Sequence, residues 1–171
     1  YAILREPYRH LHSHLNYVRS VHRNSEQEEH YQYRHNETIR DFGSRLSRIN
    51  FEDDKEIRTF VAGLSGFELE FFDNIQTRYF LDYRPEKITP EDYEKACKNI
   101  DCFRRVGLTE QYDSFREQFC RDIGLQPQSQ SLQYNKSSRY RLFDVSSPST
   151  RESLLPLVET DLRLYDHIAR I

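Results

Sequence analysis

The sequence predicts an α/β fold in which helices predominate and of which this chain carries only a part. Two short apolar runs, Tyr1–Leu4 and Phe103–Leu108, are typical of buried parallel strands, and amphipathic stretches typical of helices lie between and after them. Two strands are too few for a complete sheet of this class. In addition, the 171 residues include no Met, and Tyr1 already lies within a strand-like run. We therefore expect residues 1–171 to be the C-terminal part of a single domain.

The composition excludes several classes of protein. The 25 basic and 28 acidic side chains leave a net charge of −3, which gives no general attraction for nucleic acid. The 12 Tyr and 11 Phe argue against a disordered chain, and no apolar run approaches the roughly 20 residues of a membrane span. Cys97, Cys102 and Cys120 are odd in number and lack zinc-site spacing, so we expect no disulfide framework.

Proline, capping residues and apolar spacing predict the first helices. Pro7 is expected to begin a helix, because proline at the first helical position loses no hydrogen bond. The polar residues 23–36 then predict a loop. Asp53 or Asp54 opens a further helix, which is expected to end at Gly66. The packing face of the first helix consists of Tyr8, Leu11, Leu15, Val18 and His22.

Capping signals also predict the later helices. Thr89, followed by a proline and two acids, begins one helix, and Thr109 caps the next. The face of this second helix that is expected to be buried consists of Tyr112, Phe115 and Phe119. Ser149 and Glu152 form a capping box for a final helix, whose first turns Pro156 should bend.

A candidate anion site lies at the end of the first strand. Arg5 ends that strand, Pro7 begins the helix, and Ser13 lies two turns further on. A strand that leads into a helix N-terminus directs backbone N–H groups at one point, and arginine adds a planar donor suited to phosphate. The spacing alone favours a simpler interpretation, in which Arg5 pairs with a carboxylate and Ser13 is an ordinary surface residue.

A second candidate anion site is the acid-free stretch over residues 136–141. It contains the cations Lys136, Arg139 and Arg141 together with serine hydroxyls, and such a loop can fold over a phosphate. The composition alone favours a solvated polar linker.

The histidines do not predict a metal site. His10 and His14 have the spacing of paired zinc ligands on one helical face, but no third ligand is evident, so a polar helix face is favoured and no metal is expected. Cys97 and Cys120 fall on apolar helix faces and are expected in the core. No glycine-rich phosphate loop occurs in the sequence.

Three segments together resemble PAPS-dependent sulfotransferases (PAPS is 3′-phosphoadenosine 5′-phosphosulfate). The segment ILREPYRHLHSHLNYVRS at 3–20 resembles their 3′-phosphate-binding segment. FFDNIQTRYF at 71–80 and RRVGLTEQYDSF at 104–115 are similar to segments of bacterial, carbohydrate-type members, and the order agrees. The C-terminal residues 147–169 resemble the helix that closes the domain in that group. Heparan sulfate 2-O-sulfotransferase is a more distant relative of the same plan.

This resemblance implies a P-loop-like, three-layer fold, of which the front half precedes this chain. It implies that Arg5 and Ser13 bind the 3′-phosphate of PAPS, and that Ser137 and Arg139 fold over the nucleotide. It implies no metal. The phosphosulfate loop and the catalytic base of the family usually lie upstream of Arg5, so no catalytic residue is assigned here.

The resemblance also implies a function, which leaves two alternatives open. The expected enzyme transfers a sulfuryl group from PAPS to an acceptor hydroxyl, with a carbohydrate as the expected acceptor and no nucleic acid as partner. The alternatives are a nucleotide-binding module without chemistry and an interaction domain whose aromatic segment Phe67–Leu81 contacts a partner. The sequence leaves the oligomeric state and the compartment open: the cytoplasm for a bacterial protein, the Golgi lumen for a eukaryotic one.

Overall fold

The structure, a computed structural model, describes residues 1–27, 37–126 and 142–170. Helices predominate in these residues, and two short strands pair in parallel. The expected α/β class is thereby confirmed in its coarse form. No helix within the described ranges is long and apolar enough to cross a membrane.

The strands and helices of the described residues follow one another in a simple order. They are β1 (Ala2–Leu4), α1 (Pro7–Gln27), α2 (Glu37–Ser47), α3 (Asp54–Ala62), α4 (Phe67–Phe72), α5 (Ile75–Arg78), α6 (Pro90–Ile100), β2 (Val106–Leu108), α7 (Tyr112–Asp122), α8 (Pro148–Leu154) and α9 (Glu159–Arg170). Short 3₁₀ turns, Thr109–Gln111 and Leu155–Leu157, precede α7 and α9.

Helices cover both faces of the β1–β2 pair. Leu4 lies opposite Leu108 in the register, and both are buried in one cluster with residues of α6 and α9. On the other face Gly107 lies beneath Phe115 of α7, so closely that a Cβ atom at Gly107 would lie 2.4 Å from the ring. The strands are therefore enclosed between two helical layers, and the glycine permits the close approach of α7.

The buried apolar residues form two clusters. The larger cluster joins α1, α2, α3, α4 and α8, and the smaller cluster surrounds the sheet. Helix α5 lies against α6 and α9, beside the smaller cluster. The buried residues of the smaller cluster are Leu4, Phe80, Ala96, Ile100, Leu108, Leu164 and Ile168.

The beginning of α1 at Pro7 is confirmed, whereas its predicted end is wrong. The helix continues to Gln27, so residues 23–27 are helical rather than part of a loop. These residues include no glycine or proline, and extending an existing helix by one residue costs far less than beginning one. The rest of the predicted loop, residues 28–36, lies outside the described residues.

The start of α3 is confirmed, but its end differs. The Asp53 carboxylate accepts hydrogen bonds from the N–H groups of Lys55 at 2.8 Å and Glu56 at 3.4 Å. The helix ends at Gly63, whose N–H donates back to the carbonyl of Thr59. Gly66 instead precedes α4 with a φ of 50°, a conformation that glycine adopts without strain.

The capping predictions for the later helices have mixed outcomes. Thr89 begins α6 with the expected side-chain cap and a full capping box with Asp92. Thr109 does not cap α7, because a 3₁₀ turn intervenes and delays the helix to Tyr112. Tyr112 is consequently 48% exposed, and the expectation that it is buried is wrong. Phe115 and Phe119 are half-buried.

The cap of α8 is Ser147, and the prediction of Ser149 is wrong. Ser147 Oγ accepts a hydrogen bond from the N–H of Thr150 at 3.4 Å. Pro148 takes the first helical position, where its missing N–H has no cost, and this fixes the cap one residue earlier. Pro156 interrupts the helix with a 3₁₀ turn, so the expected bend is confirmed as a break between α8 and α9.

The cysteines are free thiols, in line with the expectation of no disulfide framework. Cys97 and Cys120 are only half-buried, at the margin of the packed helices rather than in the core, and Cys102 is exposed.

Candidate phosphate-binding site

Arg5 lies directly after β1, at the carboxyl end of the strand, and is exposed. Its guanidinium has no hydrogen bond or ion pair with any residue that the structure describes. The interpretation that Arg5 pairs with a carboxylate therefore finds no support within the described ranges. A permanently charged, planar donor at this position is available to an external anion.

The side-chain amide of Gln76 fixes the backbone at Arg5. The N–H of Arg5 donates to Gln76 Oε1 at 2.8 Å, and Gln76 Nε2 donates to the carbonyl oxygen of Arg5 at 2.9 Å. This pair of hydrogen bonds replaces the contacts that a neighbouring strand would make. Because Gln76 is 2% exposed, water does not compete for the amide, and the direction in which Arg5 leaves the strand is set.

Asp161 of α9 holds the first turn of α5. Its carboxylate accepts hydrogen bonds from the N–H of Gln76 at 3.0 Å, the N–H of Thr77 at 2.7 Å and Thr77 Oγ1 at 2.7 Å. Burial raises the pKa of Asp161 to about 6, although these three donors act to lower it. Asp161 is thus the residue that orients Gln76 toward Arg5.

Asn74 makes the reciprocal contact, from α5 to α9. Its Oδ1 accepts hydrogen bonds from the N–H groups of Thr160 at 2.8 Å and Asp161 at 3.1 Å. Its own N–H donates to the carbonyl of Leu157 at 2.8 Å. Asn74 adopts a left-handed backbone conformation with φ 47° and ψ 54°, which asparagine tolerates better than most residues. The two helix N-termini are therefore capped by each other.

Asp73 and Arg78 connect the same segment to the chain that leads into α6. Asp73 Oδ2 accepts hydrogen bonds from Arg78 at 3.0 Å and from the N–H of Ile88 at 2.7 Å. The Arg78 guanidinium also donates to the carbonyls of Pro85 and Glu86. Arg78 is consequently occupied within the protein and is not available to a phosphate.

These contacts make residues 73–78 a buried polar segment, hereafter the DNIQTR segment. In the sequence this segment stands out only by its resemblance to sulfotransferases, and none of its residues was expected in a site. A signal was nevertheless present, since Asp73, Asn74, Gln76 and Thr77 lie within a strongly aromatic stretch. Polar residues that are buried with aromatic neighbours require hydrogen-bond partners, and the partner Asp161 lies 84 residues beyond Thr77.

Ser13 lies on α1 and is half-buried. Its hydroxyl has no hydrogen-bond partner among the described residues. Leu11 and Leu15, its apolar neighbours, are 1% and 0% exposed on the core side of the helix. The structure thus places both residues of the predicted 3′-phosphate site where they can reach solvent.

Glu6 changes the expected role of the α1 N-terminus. Its carboxylate accepts a hydrogen bond from the N–H of Arg9 at 2.8 Å, and its backbone carbonyl accepts one from the N–H of His10 at 2.9 Å. The same carboxylate pairs with Arg151 at 3.1 Å. One backbone N–H group that was expected to face an anion, that of Arg9, is therefore occupied by the protein itself, and the acid beside it makes the helix N-terminus less favourable for a phosphate.

His10 and His14 are half-buried imidazoles, so the favoured interpretation as a solvated polar helix face is not what the structure shows. Burial, the neighbouring His14 and the charge of Arg5 together lower the pKa of His10 to about 4, and burial lowers the pKa of His14. The ring of His14 packs against Phe71 with a centroid distance of 4.6 Å. The described residues contain no group of three or more potential metal ligands.

The second candidate anion site, residues 136–141 with Ser137 and Arg139, lies outside the described residues. The residue that follows it, Leu142, donates its N–H to His12 Nε2 at 3.2 Å. The ring of Phe143 packs edge-on against His12 with a centroid distance of 4.8 Å. Leu142 therefore lies beside α1, at the residue before Ser13.

Comparison of the chain with protein-family models, with curated proteins and with solved structures finds no match.

Replacing Asn74 tests the reciprocal caps. Asn74→Ala removes the acceptor for two N–H groups of α9 and places a Cβ-bearing residue without a polar side chain in the left-handed region. We expect it to lower the free energy of unfolding by about 2 kcal/mol, as the sum of a lost cap and backbone strain. Asn74→Gly keeps the backbone conformation at no strain, so about half of that loss is expected in chemical denaturation. Equal losses of unfolding free energy in the two variants would show that the lost caps alone, without backbone strain, account for the destabilisation.

The raised pKa of Asp161 predicts a pH dependence of stability. The folded protein keeps the proton up to about pH 6, because burial raises the pKa of Asp161, whereas the unfolded chain releases it near the ordinary aspartate pKa of 3.8. The stabilisation is therefore complete below pH 3.8 and is lost as the pH rises through 6, with a slope of at most about 1.4 kcal/mol per pH unit. Asp161→Asn removes this titration and leaves the other carboxylates in place.

The unfolding free energy of the wild type minus that of Asp161→Asn isolates this titration. We expect the difference to fall between pH 4 and pH 6 and to level off above pH 7, as measured by urea denaturation. A difference that rises with pH over this window would mean that the three hydrogen bonds outweigh burial and that the pKa of Asp161 is lowered.

Proposed function

We propose that this chain forms the 3′-phosphate-binding part of a PAPS-dependent sulfotransferase that acts on an acceptor hydroxyl, with a carbohydrate as the expected acceptor. The observation that carries the proposal is Arg5: an exposed guanidinium without a partner among the described residues, at the end of a parallel strand. Its backbone is held by the buried amide of Gln76. An arginine whose backbone is fixed in this way suits a ligand whose charge must be positioned accurately.

Two further observations support the same position. The Ser13 hydroxyl has no partner among the described residues and lies on the helix that follows Arg5. The N–H of Leu142, three residues beyond Arg139 in the sequence, donates to His12 of the same helix. Those two residues are proposed to fold over the nucleotide, as the resemblance implies.

The residues present fit a phosphomonoester. Arg5 offers two parallel N–H donors, and Ser13 offers a hydroxyl that can donate to a third oxygen. The Glu6 carboxylate occupies the N–H of Arg9, so this donor of the helix N-terminus adds nothing to the binding. PAPS, when bound, supplies the sulfuryl group and a good leaving phosphate. Arg5 and Ser13 hold the 3′ end of the nucleotide and thereby set its reach, and they take no part in the transfer itself.

The helical layers on both faces of β1 and β2 are compatible with the three-layer fold that the resemblance implies. The base that accepts the proton of the acceptor hydroxyl and the groups that hold the 5′-phosphosulfate are not assigned to residues of this chain. His10 and His14 are not proposed for the first role, because both are only half-exposed and the Tyr79 hydroxyl lies 3.4 Å from His10 Nε2.

Titration with 3′,5′-adenosine bisphosphate tests the proposal, with full-length protein and thermal unfolding as the readout. A specific site filled at a hundred times its dissociation constant adds about 2.7 kcal/mol of stability. We expect Arg5→Ala to abolish this shift. Arg9→Ala is the matched control, because Arg9 is a similarly exposed cation one helical turn away, and it should retain the shift.

Absence of a shift in the wild type, or an equal loss in both variants, would contradict the proposal. The first outcome would favour an interaction domain. The second would show that the nucleotide binds through general positive charge and not at a specific site. A shift that depends on Arg5, without sulfuryl transfer from PAPS to any hydroxyl, would favour the nucleotide-binding module.

A further inference from the structure

A pocket of about 480 Å³ lies on the side of α5 that does not contact Arg5. It is built mainly from α4, α5 and the turn that follows α5, with one contribution from α1. The lining of the pocket includes His14, Phe67, Glu70, Tyr79, Tyr83 and Arg84.

Aromatic rings form the walls of this pocket, hereafter the aromatic pocket. Phe67, Tyr79 and Tyr83 are 44%, 57% and 42% exposed. Three large rings with this exposure around one cavity are unusual, because aromatic side chains bury most of their surface when nothing else governs their position. Their free faces are therefore available to a ligand that stacks on them.

The two tyrosine rings are held in place by their polar ends. Tyr83 donates its hydroxyl to Asp92, and Lys95 lies over one face of the ring, 4.3 Å from its centroid. The Tyr79 hydroxyl lies 3.4 Å from Nε2 of His10, whose ring meets Tyr79 edge-on. Anchored rings lose little conformational entropy on binding, so the pocket is partly preorganised for stacking.

The rim of the aromatic pocket offers both a donor and an acceptor. Glu70 is half-buried and Arg84 is exposed, and neither side chain has a partner among the described residues. The other two charged lining residues, Arg78 and Asp82, are paired with Asp73 and Lys95. Since the lining contains two acids and two bases, and His14 is neutral, the pocket has no excess of positive charge.

We propose that the aromatic pocket binds an uncharged saccharide unit. The C–H faces of a pyranose ring pack favourably against the negative faces of aromatic rings. Its ring hydroxyls donate to the Glu70 carboxylate and accept from the Arg84 guanidinium. A polyanionic sugar is disfavoured, because one unpaired carboxylate in the pocket offsets the one unpaired guanidinium.

Helix α5 connects the aromatic pocket to the Arg5 site. Gln76 and Thr77 of α5 hold Arg5 and contact Asp161, whereas Ile75, Arg78 and Tyr79 line the pocket. As an extension that rests on the proposed function, the saccharide in the pocket is the acceptor or a neighbouring unit of the acceptor chain. The DNIQTR segment would then fix the nucleotide site and the acceptor site relative to one another.

The test measures binding of cellobiose, lactose, maltose and N,N′-diacetylchitobiose to the full-length protein by saturation-transfer NMR. A heparin-derived tetrasaccharide serves as the polyanionic comparison. The variants are Tyr79→Ala and Arg84→Ala. Tyr112→Ala is the matched control, because Tyr112 is a similarly exposed tyrosine on α7 outside the pocket. Both Tyr79 and Arg84 are exposed, so their variants should fold, as circular dichroism would verify.

We expect at least one neutral disaccharide to bind with saturation. Tyr79→Ala and Arg84→Ala should each raise its dissociation constant about tenfold or more, which corresponds to about 1.4 kcal/mol, and Tyr112→Ala should leave it unchanged. Failure of all four disaccharides to bind, equal binding by all variants, or binding of the heparin tetrasaccharide alone would overturn the inference.

Titration of the same samples with 3′,5′-adenosine bisphosphate separates this inference from the proposed function. A nucleotide shift without saccharide binding overturns the saccharide site and leaves the proposed function standing. Saccharide binding that depends on Tyr79 and Arg84, without any nucleotide shift, supports the site as a sugar-binding pocket and overturns its role as an acceptor site.

Discussion

The burial of the DNIQTR segment is the constraint on which the rest of the site depends. Asp73, Asn74, Gln76 and Thr77 are each at most 3% exposed, so their polar atoms must find partners within the protein. The partners come from β1, from the start of α9 and from the chain before α6. One short segment therefore determines how the strand, two helices and a loop meet, and a mispaired member would leave a buried group unsatisfied.

This arrangement distinguishes arginines that form ion pairs within the protein from one arginine that is available to a ligand. Arg78 and Arg151 are occupied by Asp73 and Glu6, whereas Arg5 is held only through its backbone and keeps its guanidinium for a ligand. The same helix that fixes Arg5 presents Tyr79 to the aromatic pocket. The proposed nucleotide site and the proposed saccharide site thus share a single rigid support, which is the arrangement that a reaction between two bound molecules requires.

Local features of the structure could be predicted from the sequence, and contacts between distant residues could not. Pro7, Asp53 and Thr89 act through neighbours within four positions, so capping rules locate their helices. Ser147 was missed because Ser149 has the capping-box signature with Glu152, whereas the proline that follows Ser147 decides the position of the cap. The contacts of Gln76 with Arg5 and with Asp161 join residues 71 and 85 positions apart in the sequence, and no periodic pattern predicts them. The cap by Glu6 is a local contact of three positions that the sequence analysis did not predict.

The central claim is that Gln76 makes Arg5 a binding residue by fixing its backbone. The most direct measurement is a double-mutant cycle of Arg5→Ala and Gln76→Leu, with the dissociation constant for 3′,5′-adenosine bisphosphate determined below the unfolding temperature of every variant. We predict that Gln76→Leu weakens binding although it does not touch the nucleotide, and that adding it to Arg5→Ala causes little further loss. Unchanged affinity in Gln76→Leu, or two losses that simply add, would contradict the claim.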